Sequence, residues 1–282
     1  MGTKKITLKK VKNKISNIIL INLRRIFNVL GYQISENTDK SKILELIKTV
    51  RPYETNLGLV RLGGIEDGGY VVPNDLIGIE ACFSPGVDKE SGFEIDCLKR
   101  GMQVYMADNS VDKPNIDSSK FNYNFIKKHI GTTSNEDYIT FTDWVNSSNI
   151  ETNRDLLLQM DIEGAEYLTI LSADESIIKR FRIILIEFHF LERLWNDDFY
   201  SLVEPVFKKL LKTHTCIHIH PNNCSKIVKH NNIQIPPVLE FSFIRNDRFT
   251  NKEPQVNFPN ELDNTNLNNI PDVILPKIWY AD

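Results

Sequence analysis

The segment DLLLQMDIEG (155–164) constrains the fold of this chain more than any other. Its first half is apolar on both faces that a strand would present, which is typical of a central strand in a parallel sheet. The run then ends in Asp161 and Glu163, and Gly164 permits a tight turn into a helix. The segment therefore predicts a buried parallel strand that delivers carboxylates to the edge of a sheet.

Strand and helix patterns alternate along most of the chain. Helices are predicted over 40–50, 90–101, from Thr142, and over 198–213, and strands in the segments 70–72, 79–87, 103–110, 121–131, 138–141, 155–164, 177–190, 215–225 and 236–247. This order predicts an α/β fold with a doubly wound, mostly parallel, seven-stranded Rossmann-like sheet and helices on both faces. The closely spaced last two strands predict an antiparallel edge.

Three regions are expected along the chain. Residues 1–55 form a basic N-terminal helical extension, and residues 56–247 form the Rossmann-like domain. Residues 248–282 are rich in Asn and Pro and show no periodicity, so we expect an arm that packs on the same domain. Long ordered segments beside such sheets are often functional.

The composition excludes some classes of protein. Of the 282 residues 41% are hydrophobic and 25% charged, which is typical of globular proteins, and the net charge of −3 carries no signature of nucleic-acid binding. The four cysteines form no CxxC pair, so neither a zinc site nor a disulfide framework is indicated; they are Cys82, Cys97, Cys216 and Cys224. A cytoplasmic location is the simpler expectation.

The N-terminal region is basic, and its first acid is Glu36. Its bases are Lys4, Lys5, Lys9, Lys10, Lys12, Lys14, Arg24 and Arg25. Apolar residues from Ile15 to Leu30 roughly follow a helical stripe. Such a helix can lie on an anionic membrane surface, or it can pack on its own domain. We favour packing for the apolar part, with the lysine-rich turns free to contact lipid headgroups at the inner membrane face. The oligomeric state is left open.

The residues after the first two strands of the sheet indicate a ribose-containing ligand. Ligands of open α/β sheets bind outside the carboxyl ends of the strands. Gly86 follows one strand, and Asp108 ends the next about 20 residues later, where an acid can bind ribose hydroxyls. A helix cap is the alternative role of Asp108. The chain has no GxGxxG, and Asp88 and Glu90 would repel a phosphate, which favours S-adenosylmethionine over a dinucleotide.

A candidate catalytic cluster is expected one strand further along. Asp161 and Glu163 follow one strand, and Glu187 and His189, two residues apart, end the next. If the two strands are neighbours, all four side chains converge on one cleft, where burying several acids is costly unless they are paired or used. Glu166 is left out of the site, because a carboxylate in a first helical turn is favoured by the helix dipole alone.

These segments together resemble one known family. LLLQMDIEGAEYLTIL, the upstream TFTDW, the downstream IILIEFH and RLGGIEDGGYVVP before ACFSPGV are similar to the FkbM-type methyltransferases, a class I S-adenosylmethionine-dependent group. The resemblance spans roughly residues 57–247, and FPNELDNTNLNNIPDVIL resembles a continuation seen in relatives. The turn SPGVDKESG departs from the VGANxG type that is usual in the family.

The resemblance implies O-methylation, often of sugars in surface glycans. Candidate cofactor-binding residues are Asp67, Gly69, Tyr70, Ser84, Gly86, Asp108, Asn109, Asp161 and Glu163. A structural hairpin turn is an equal interpretation for 67–70. Candidate residues for a sugar or glycan acceptor are Glu163, His189, His220, Asn222 and Asn223.

Two mechanisms remain open for the catalytic residues Asp161, Glu187 and His189. In the first, His189 or Asp161 removes the acceptor proton. In the second, the three side chains bind Mg or Mn, which lowers the pKa of the hydroxyl. The metal-free base is preferred. A nicotinamide-dependent sugar dehydrogenase and a non-catalytic glycan-pathway binding protein with this fold are the alternatives for the whole chain.

Overall fold

The computed structural model describes residues 19–31, 35–65, 67–87, 90–248, 250 and 253–282. Lys4, Lys5, Lys9, Lys10, Lys12, Lys14 and Asp88, which carry sequence predictions above, lie outside these ranges. Within the described ranges no helix is long and apolar enough to cross a membrane.

The chain folds into strands and helices in the alternating order that the sequence predicts. The strands are β1 (Leu59–Leu62), β2 (Tyr70–Pro73), β3 (Ile79–Pro85), β4 (Gln103–Ala107), β5 (Asn124–Ile126), β6 (His129–Gly131), β7 (Tyr138–Thr140), β8 (Asp155–Met160), β9 (Phe181–Phe188), β10 (His214–Pro221), β11 (Val228–His230), β12 (Ile233–Ile235) and β13 (Leu239–Arg245). Residues 19–29 are helical, and the helices that follow are α1 (Lys40–Thr49), α2 (Gly92–Lys99), α3 (Phe141–Ser147), α4 (Glu166–Ser172), α5 (Glu175–Ile178) and α6 (Asp197–Leu211). Short 3₁₀ turns cover Leu191–Trp195 and Lys277–Trp279.

Seven strands form the central sheet in the order β10-β13-β9-β8-β3-β4-β5. The block from β9 to β5 is parallel, and β13 runs antiparallel to both of its neighbours. The α/β class and the seven strands are confirmed. The sheet is mixed because β13 inserts between β9 and β10, as the closely spaced last strands indicated.

The two faces of the sheet are covered differently. One face packs against α1, α3, α4, α5 and α6 through residues such as Tyr167 and Phe207. On the other face, α2 is the helix that packs among the described residues, and the β1–β2 hairpin covers the rest. The prediction of helices on both faces therefore holds only in part, because a hairpin takes the place of helices on the second face.

Local sequence signals set several element boundaries. Gly101 follows α2 with φ +84°, a left-handed conformation that commonly ends a helix. The predicted start of a helix at Thr142 is wrong by one residue: α3 begins at Phe141, and Oγ1 of Thr140 accepts a hydrogen bond from Asp143 N at 3.1 Å. Thr142 instead accepts a hydrogen bond from Asp174 N.

The β11–β12 hairpin was missed by the sequence analysis. Its strands are three residues long, which is too short for alternation to be visible. The turn between them carries the signal that could have found it: Asn231 and Asn232 have φ of 48° and 62°, the conformation that an Asn-rich two-residue hairpin turn requires.

The segment after β13 packs on the sheet domain. Trp279 and Leu275 are buried in the main core, and Nε1 of Trp279 donates to the carbonyl of Gln234. Arg51 donates to the carbonyls of Ile278 and Ala281. The residues that precede this end of the chain, 260–270, lie over the edge of the sheet that carries the candidate site, as described below.

Candidate active site

The carboxyl ends of the parallel strands meet at one edge of the sheet. Gly86 follows β3, Asp108 follows β4, Asp161 follows β8 and His189 follows β9. Because β8 pairs with both β3 and β9, Asp161 lies between the other strand ends. The strand ends are therefore neighbours, which is the condition that the predicted cleft required.

His189 is the centre of an acidic cluster. Its Nε2 lies 3.4 Å from Oε1 of Glu187, 3.5 Å from Oε2 of Glu163 and 3.8 Å from Oδ1 of Asp161. The three carboxylates thus surround one ring nitrogen at distances longer than an N–H···O hydrogen bond. One ligand atom each from Asp161, Glu187 and His189 lies within 4.8 Å of the others. The four side chains therefore lie together, as the sequence predicts.

Glu166 contacts the opposite nitrogen of the same ring. Its Oε1 lies 3.2 Å from Nδ1 of His189 and accepts hydrogen bonds from the backbone N–H groups of Ile162 and Gly164, both at 3.0 Å. The residue is fully buried. The sequence analysis left Glu166 out of the site, because a helix dipole explains a carboxylate in the first turn. The structure corrects this exclusion. A helix dipole explains neither the complete burial of Glu166 nor its contact with His189.

The turn after β8 is held in an unusual conformation. Glu163 and Gly164 have φ of 54° and 100°. A Cβ on Gly164 would lie 2.4 Å from the ring of Phe190, so the glycine also makes room for the residue after His189. The turn therefore fixes Glu163 beside His189 by backbone geometry.

Gly86 is required by packing within the protein. It has φ +86°, and a Cβ there would lie 1.5 Å from the carbonyl oxygen of Asp161. From the sequence, this glycine is a candidate cofactor-binding residue. The structure shows a nearer reason, which is that the turn after β3 lies against the backbone that carries Asp161.

Burial sets the charge state of the cluster. Burial raises the pKa of Asp161 to about 7, with Glu163 and Glu166 adding to the shift and His189 opposing it. Burial also raises the pKa of Glu187 well above its usual value, with Asp161 adding to it. For His189, burial favours the neutral ring, but Glu166, Asp161 and Glu163 outweigh it, and the pKa is raised. These groups share protons as a unit rather than titrating singly.

Asp161 also carries an unsatisfied oxygen. Its Oδ1 is buried, and no group among the described residues forms a hydrogen bond with it. An unpaired buried carboxylate oxygen is costly. A cationic group bound beside it would lower that cost.

A cavity of about 380 Å³ adjoins the cluster. Its walls are contributed by the strand ends and by the β6–β7 pair, and they include Gly86, Asp108, Ser110, His129, Tyr138, Asp161 and Glu163. Asp108 accepts hydrogen bonds from the backbone N–H and the hydroxyl of Ser110 with Oδ1, both at 2.7 Å. The predicted Asn109 does not line this cavity.

The remaining predicted cofactor residues lie beside this cavity or beneath it. Asp67, Tyr70 and Gln159 line a recess of about 70 Å³, which shares Gly86 and Asp161 with the cavity of about 380 Å³. Ser84 is buried beneath it and donates a hydrogen bond to Oε1 of Gln159 (2.6 Å), so its side chain supports the wall and does not reach a ligand. A Cβ on Gly69 would lie 2.1 Å from Gly64 O, which favours the hairpin-turn interpretation for that glycine.

The predicted acceptor residues at the end of β10 and just after it are buried or bonded within the protein. Asn223 donates to the carbonyls of Leu267 and Ile270 and accepts from Leu267 N, so it anchors the C-terminal segment. Asn222 donates to Glu187 at 3.2 Å and therefore supports the cluster. His220 is buried. Of the predicted acceptor residues, Glu163 and His189 lie at the cleft.

A second charged cluster, which the sequence analysis missed, binds residues 260–270 to the sheet. Oδ1 of Asp263 lies 2.8 Å from Nε2 of His218 and 3.6 Å from Nδ1 of His220. Asn266 donates to Glu240 at 2.7 Å and to Asp67 at 3.1 Å. In the strand register, Glu240 of β13 lies opposite His220 of β10 and opposite Glu187 of β9. The second cluster is therefore continuous with the candidate site.

A larger cavity of about 710 Å³ lies at the opposite edge of the sheet. It is lined by residues at the amino ends of β8, β9 and β10, such as Asp155 and Arg180, and by Asp247 after the antiparallel β13. The acidic cluster is far from this edge because it sits at the other end of the same strands. The smaller cavity is therefore the candidate ligand site.

The donor set at the smaller cavity fits S-adenosylmethionine. That molecule has a ribose, for which Asp108 offers an acceptor, and two positive groups, for which Asp161 offers an unpaired oxygen. Acceptor oxygens at the carboxyl ends of parallel strands are what a protein that binds S-adenosylmethionine needs.

The family comparison identifies the class. Residues 92–231, about half of the chain, match the model of the methyltransferase FkbM domain. The protein is a methyltransferase, and its catalytic domain belongs to the FkbM family, which confirms the resemblance in the sequence. The family implies S-adenosylmethionine as the methyl donor. It gives no support to the dehydrogenase and non-catalytic alternatives.

Solved structures give only distant matches. The 23S rRNA methyltransferase ErmE is 10% identical, with a TM-score of 0.34 over 76% of this chain and 71% of that chain. A putative RNA methyltransferase from Pyrococcus horikoshii is 9% identical, with a TM-score of 0.30 over 73% of this chain and 99% of that chain. No curated protein sequence matches the chain.

Proposed function

We propose that the protein transfers a methyl group from S-adenosylmethionine to a hydroxyl oxygen of a sugar or glycan. The observation that carries this proposal is the placement of His189 Nε2 among three carboxylates, two of which, Asp161 and Glu163, line the same cavity as Asp108. S-adenosylmethionine, when bound there, supplies an electrophilic methyl group. The protein then has to position the acceptor and remove its proton.

His189 suits the role of general base. Its contact with Glu166 favours a proton on Nδ1, which leaves the lone pair of Nε2 on the side of Asp161 and Glu163, the two acids of the cluster that line the cavity. The acceptor hydroxyl gives its proton to Nε2 while its oxygen bonds to the methyl carbon and the carbon–sulfur bond breaks. The imidazolium that forms lies beside Glu163, Glu187 and Asp161, which stabilise its charge.

A sugar acceptor is supported by the family resemblance and by the surroundings of His189. Phe190 follows His189 directly, is 42% exposed, and has φ 61°. An exposed aromatic ring beside a catalytic base can stack on the apolar face of a sugar. The neighbouring Glu163 can accept hydrogen bonds from sugar hydroxyls.

A divalent cation is the alternative way to activate the hydroxyl. Asp161, Glu187 and His189 offer two carboxylates and an imidazole within 4.8 Å, a ligand set that Mg or Mn accepts. Glu166 on the far ring nitrogen is the kind of partner that orients metal-bound histidines. The metal-free base stays the preferred mechanism, since the same contacts equally orient a base.

Three measurements test the proposal. Mass spectrometry of glycans from cells with and without the protein should show one methyl group lost from a sugar, and unchanged glycans would contradict a glycan acceptor. With that acceptor in hand, His189→Gln should lower kcat by about 10² to 10⁴-fold. Full activity after treatment with a chelator is expected, and its loss with recovery on adding Mg or Mn would establish the metal mechanism instead.

A further inference from the structure

The helix that precedes the sheet domain presents an uncovered apolar face. Residues 19–29 are helical, Leu30 N donates to Ile26 O, and the helix ends at Gly31 with φ +81°. Ile19, Leu23, Ile26 and Leu30 follow the three- and four-residue spacing of one helical face. Their side chains are between 42% and 63% exposed.

This finding differs from the packing that the sequence analysis favoured for the apolar part. Phe27 extends the same face and is also exposed. Buried apolar residues of the sheet domain begin at Ile43, in α1. An exposed apolar stripe of this length is unfavourable in water and indicates an interaction surface.

The charge of this region is opposite to that of the rest of the chain. Eight of the 34 basic residues precede Glu36, and no acid does, which leaves 26 basic and 37 acidic residues for the remainder. Arg25 is exposed on the helix, and Arg24 lies 3.6 Å from Glu36. An apolar face flanked by concentrated positive charge is complementary to an anionic lipid surface.

The residues that follow this helix are bonded to the segment 195–197 of the sheet domain. Thr38 N donates to Trp195 O, and Asp197 N donates to Glu36 O, at 2.9 and 3.0 Å. These partners belong to the segment that follows β9 and His189. Gly31 and Ser35 are four residues apart, so the end of the helix lies within about 15 Å of that segment.

We propose that the helix through residues 19–30 binds the protein to an anionic lipid bilayer. The apolar face enters the boundary between headgroups and acyl chains, and the basic residues contact anionic headgroups. Pairing with a second copy of the helix is disfavoured, because it would bring two strongly positive segments together. The inference does not depend on the identity of the methyl acceptor.

Co-sedimentation of the full chain with vesicles tests this proposal. We expect binding to vesicles of phosphatidylcholine with phosphatidylglycerol, little binding to phosphatidylcholine alone, and weaker binding at high salt. The double variant Leu23→Ser/Ile26→Ser should lose binding without a change in charge. Arg25→Ala should weaken binding about fivefold, the equivalent of about 1 kcal/mol per basic residue near the surface.

Ile77→Ser is the matched control, because Ile77 is 95% exposed and lies in a turn of the sheet domain. It should bind vesicles as well as the unmodified chain does. Equal binding by the Leu23→Ser/Ile26→Ser variant would overturn the proposal in favour of simple charge attraction. No vesicle binding, together with a dimer in sedimentation equilibrium that this variant dissociates, would assign the face to a second copy instead.

Discussion

At the scale of single residues, the candidate site depends on how Glu166 holds His189. Oε1 of Glu166 accepts hydrogen bonds from two backbone N–H groups of the turn after β8. The same oxygen contacts Nδ1 of His189, which follows β9. The turn and the ring are therefore linked by one buried side chain. This arrangement fixes which nitrogen of His189 faces the cleft.

Glu166→Gln should lower kcat by about 10 to 100-fold with little change in the KM of the acceptor, because it disturbs the orientation of His189 and not binding. In ¹⁵N NMR spectra, His189 should change from a single Nδ1–H tautomer to a mixture. Glu175→Gln is the control, since Glu175 is also in a first helical turn but is exposed and paired with Lys212. Equal effects of the two variants would mean that Glu166 acts only through a helix dipole.

Gly86→Ala should be far more destabilising than Gly101→Ala. Both glycines have left-handed φ, at 86° and 84°, so both variants carry the conformational cost of about 1–2 kcal/mol. Only at Gly86 would the new Cβ also overlap the Asp161 carbonyl, whereas nothing lies within 4 Å at Gly101. We expect more than about 4 kcal/mol for Gly86→Ala in urea unfolding. Similar values for both variants would show that the close approach is absent.

At the scale of elements, residues 260–270 act as a cover that is held by charge. Asp263 contacts two histidines of β10, and Asn266 contacts Glu240 of β13 and Asp67 of the β1–β2 loop. Burial disfavours the charged form of His220, but Asp263 and Glu240 outweigh it and raise the pKa of His220 to about 9. Near pH 7 residues 260–270 are therefore held by an ion pair between Asp263 and His220.

The contribution of Asp263 to stability should depend on pH. Because the folded-state pKa of His220 lies above its ordinary value of 6.5, the stabilisation is complete below about pH 6.5 and is lost as the pH rises through about 9. The difference in unfolding free energy between the unmodified chain and Asp263→Asn should thus be larger at pH 6 than at pH 10. Asp117→Asn, at an exposed acid bonded to Ser119, should show no such change. A difference that grows with pH would contradict the ion pair.

Contacts between residues that are close in the chain could be predicted from the sequence, and contacts between distant residues could not. The strand that ends in Asp161 and its neighbour that ends in Glu187 and His189 are visible as local apolar runs, so their convergence could be predicted. The contacts of Asp263 and Asn266 join residues far apart in the chain with no periodic signal, so the second cluster could not. The misassigned roles of Ser84 and Asn223 have the same origin, since their partners are distant.

At the scale of the whole molecule, the two edges of the sheet offer two different cavities. The larger one, at the amino ends of β8 to β10, is lined by basic and acidic pairs such as Arg245 and Asp247. The smaller one, at the carboxyl ends, is lined by Asp108 and by Asp161 and Glu163 of the acidic cluster. The rule that ligands bind at carboxyl ends predicts the smaller cavity from sequence order alone, even though size alone would select the other.

Calorimetric titration with S-adenosylhomocysteine measures whether the cavity beside Asp108 binds the cofactor. We expect saturable binding at one site, weakened at least about tenfold by Asp108→Asn, the equivalent of about 1.4 kcal/mol. Asp247→Asn, which alters the cavity at the opposite edge, should have no effect. The absence of binding, or binding that depends on Asp247 and not on Asp108, would show that the smaller cavity is not the cofactor site.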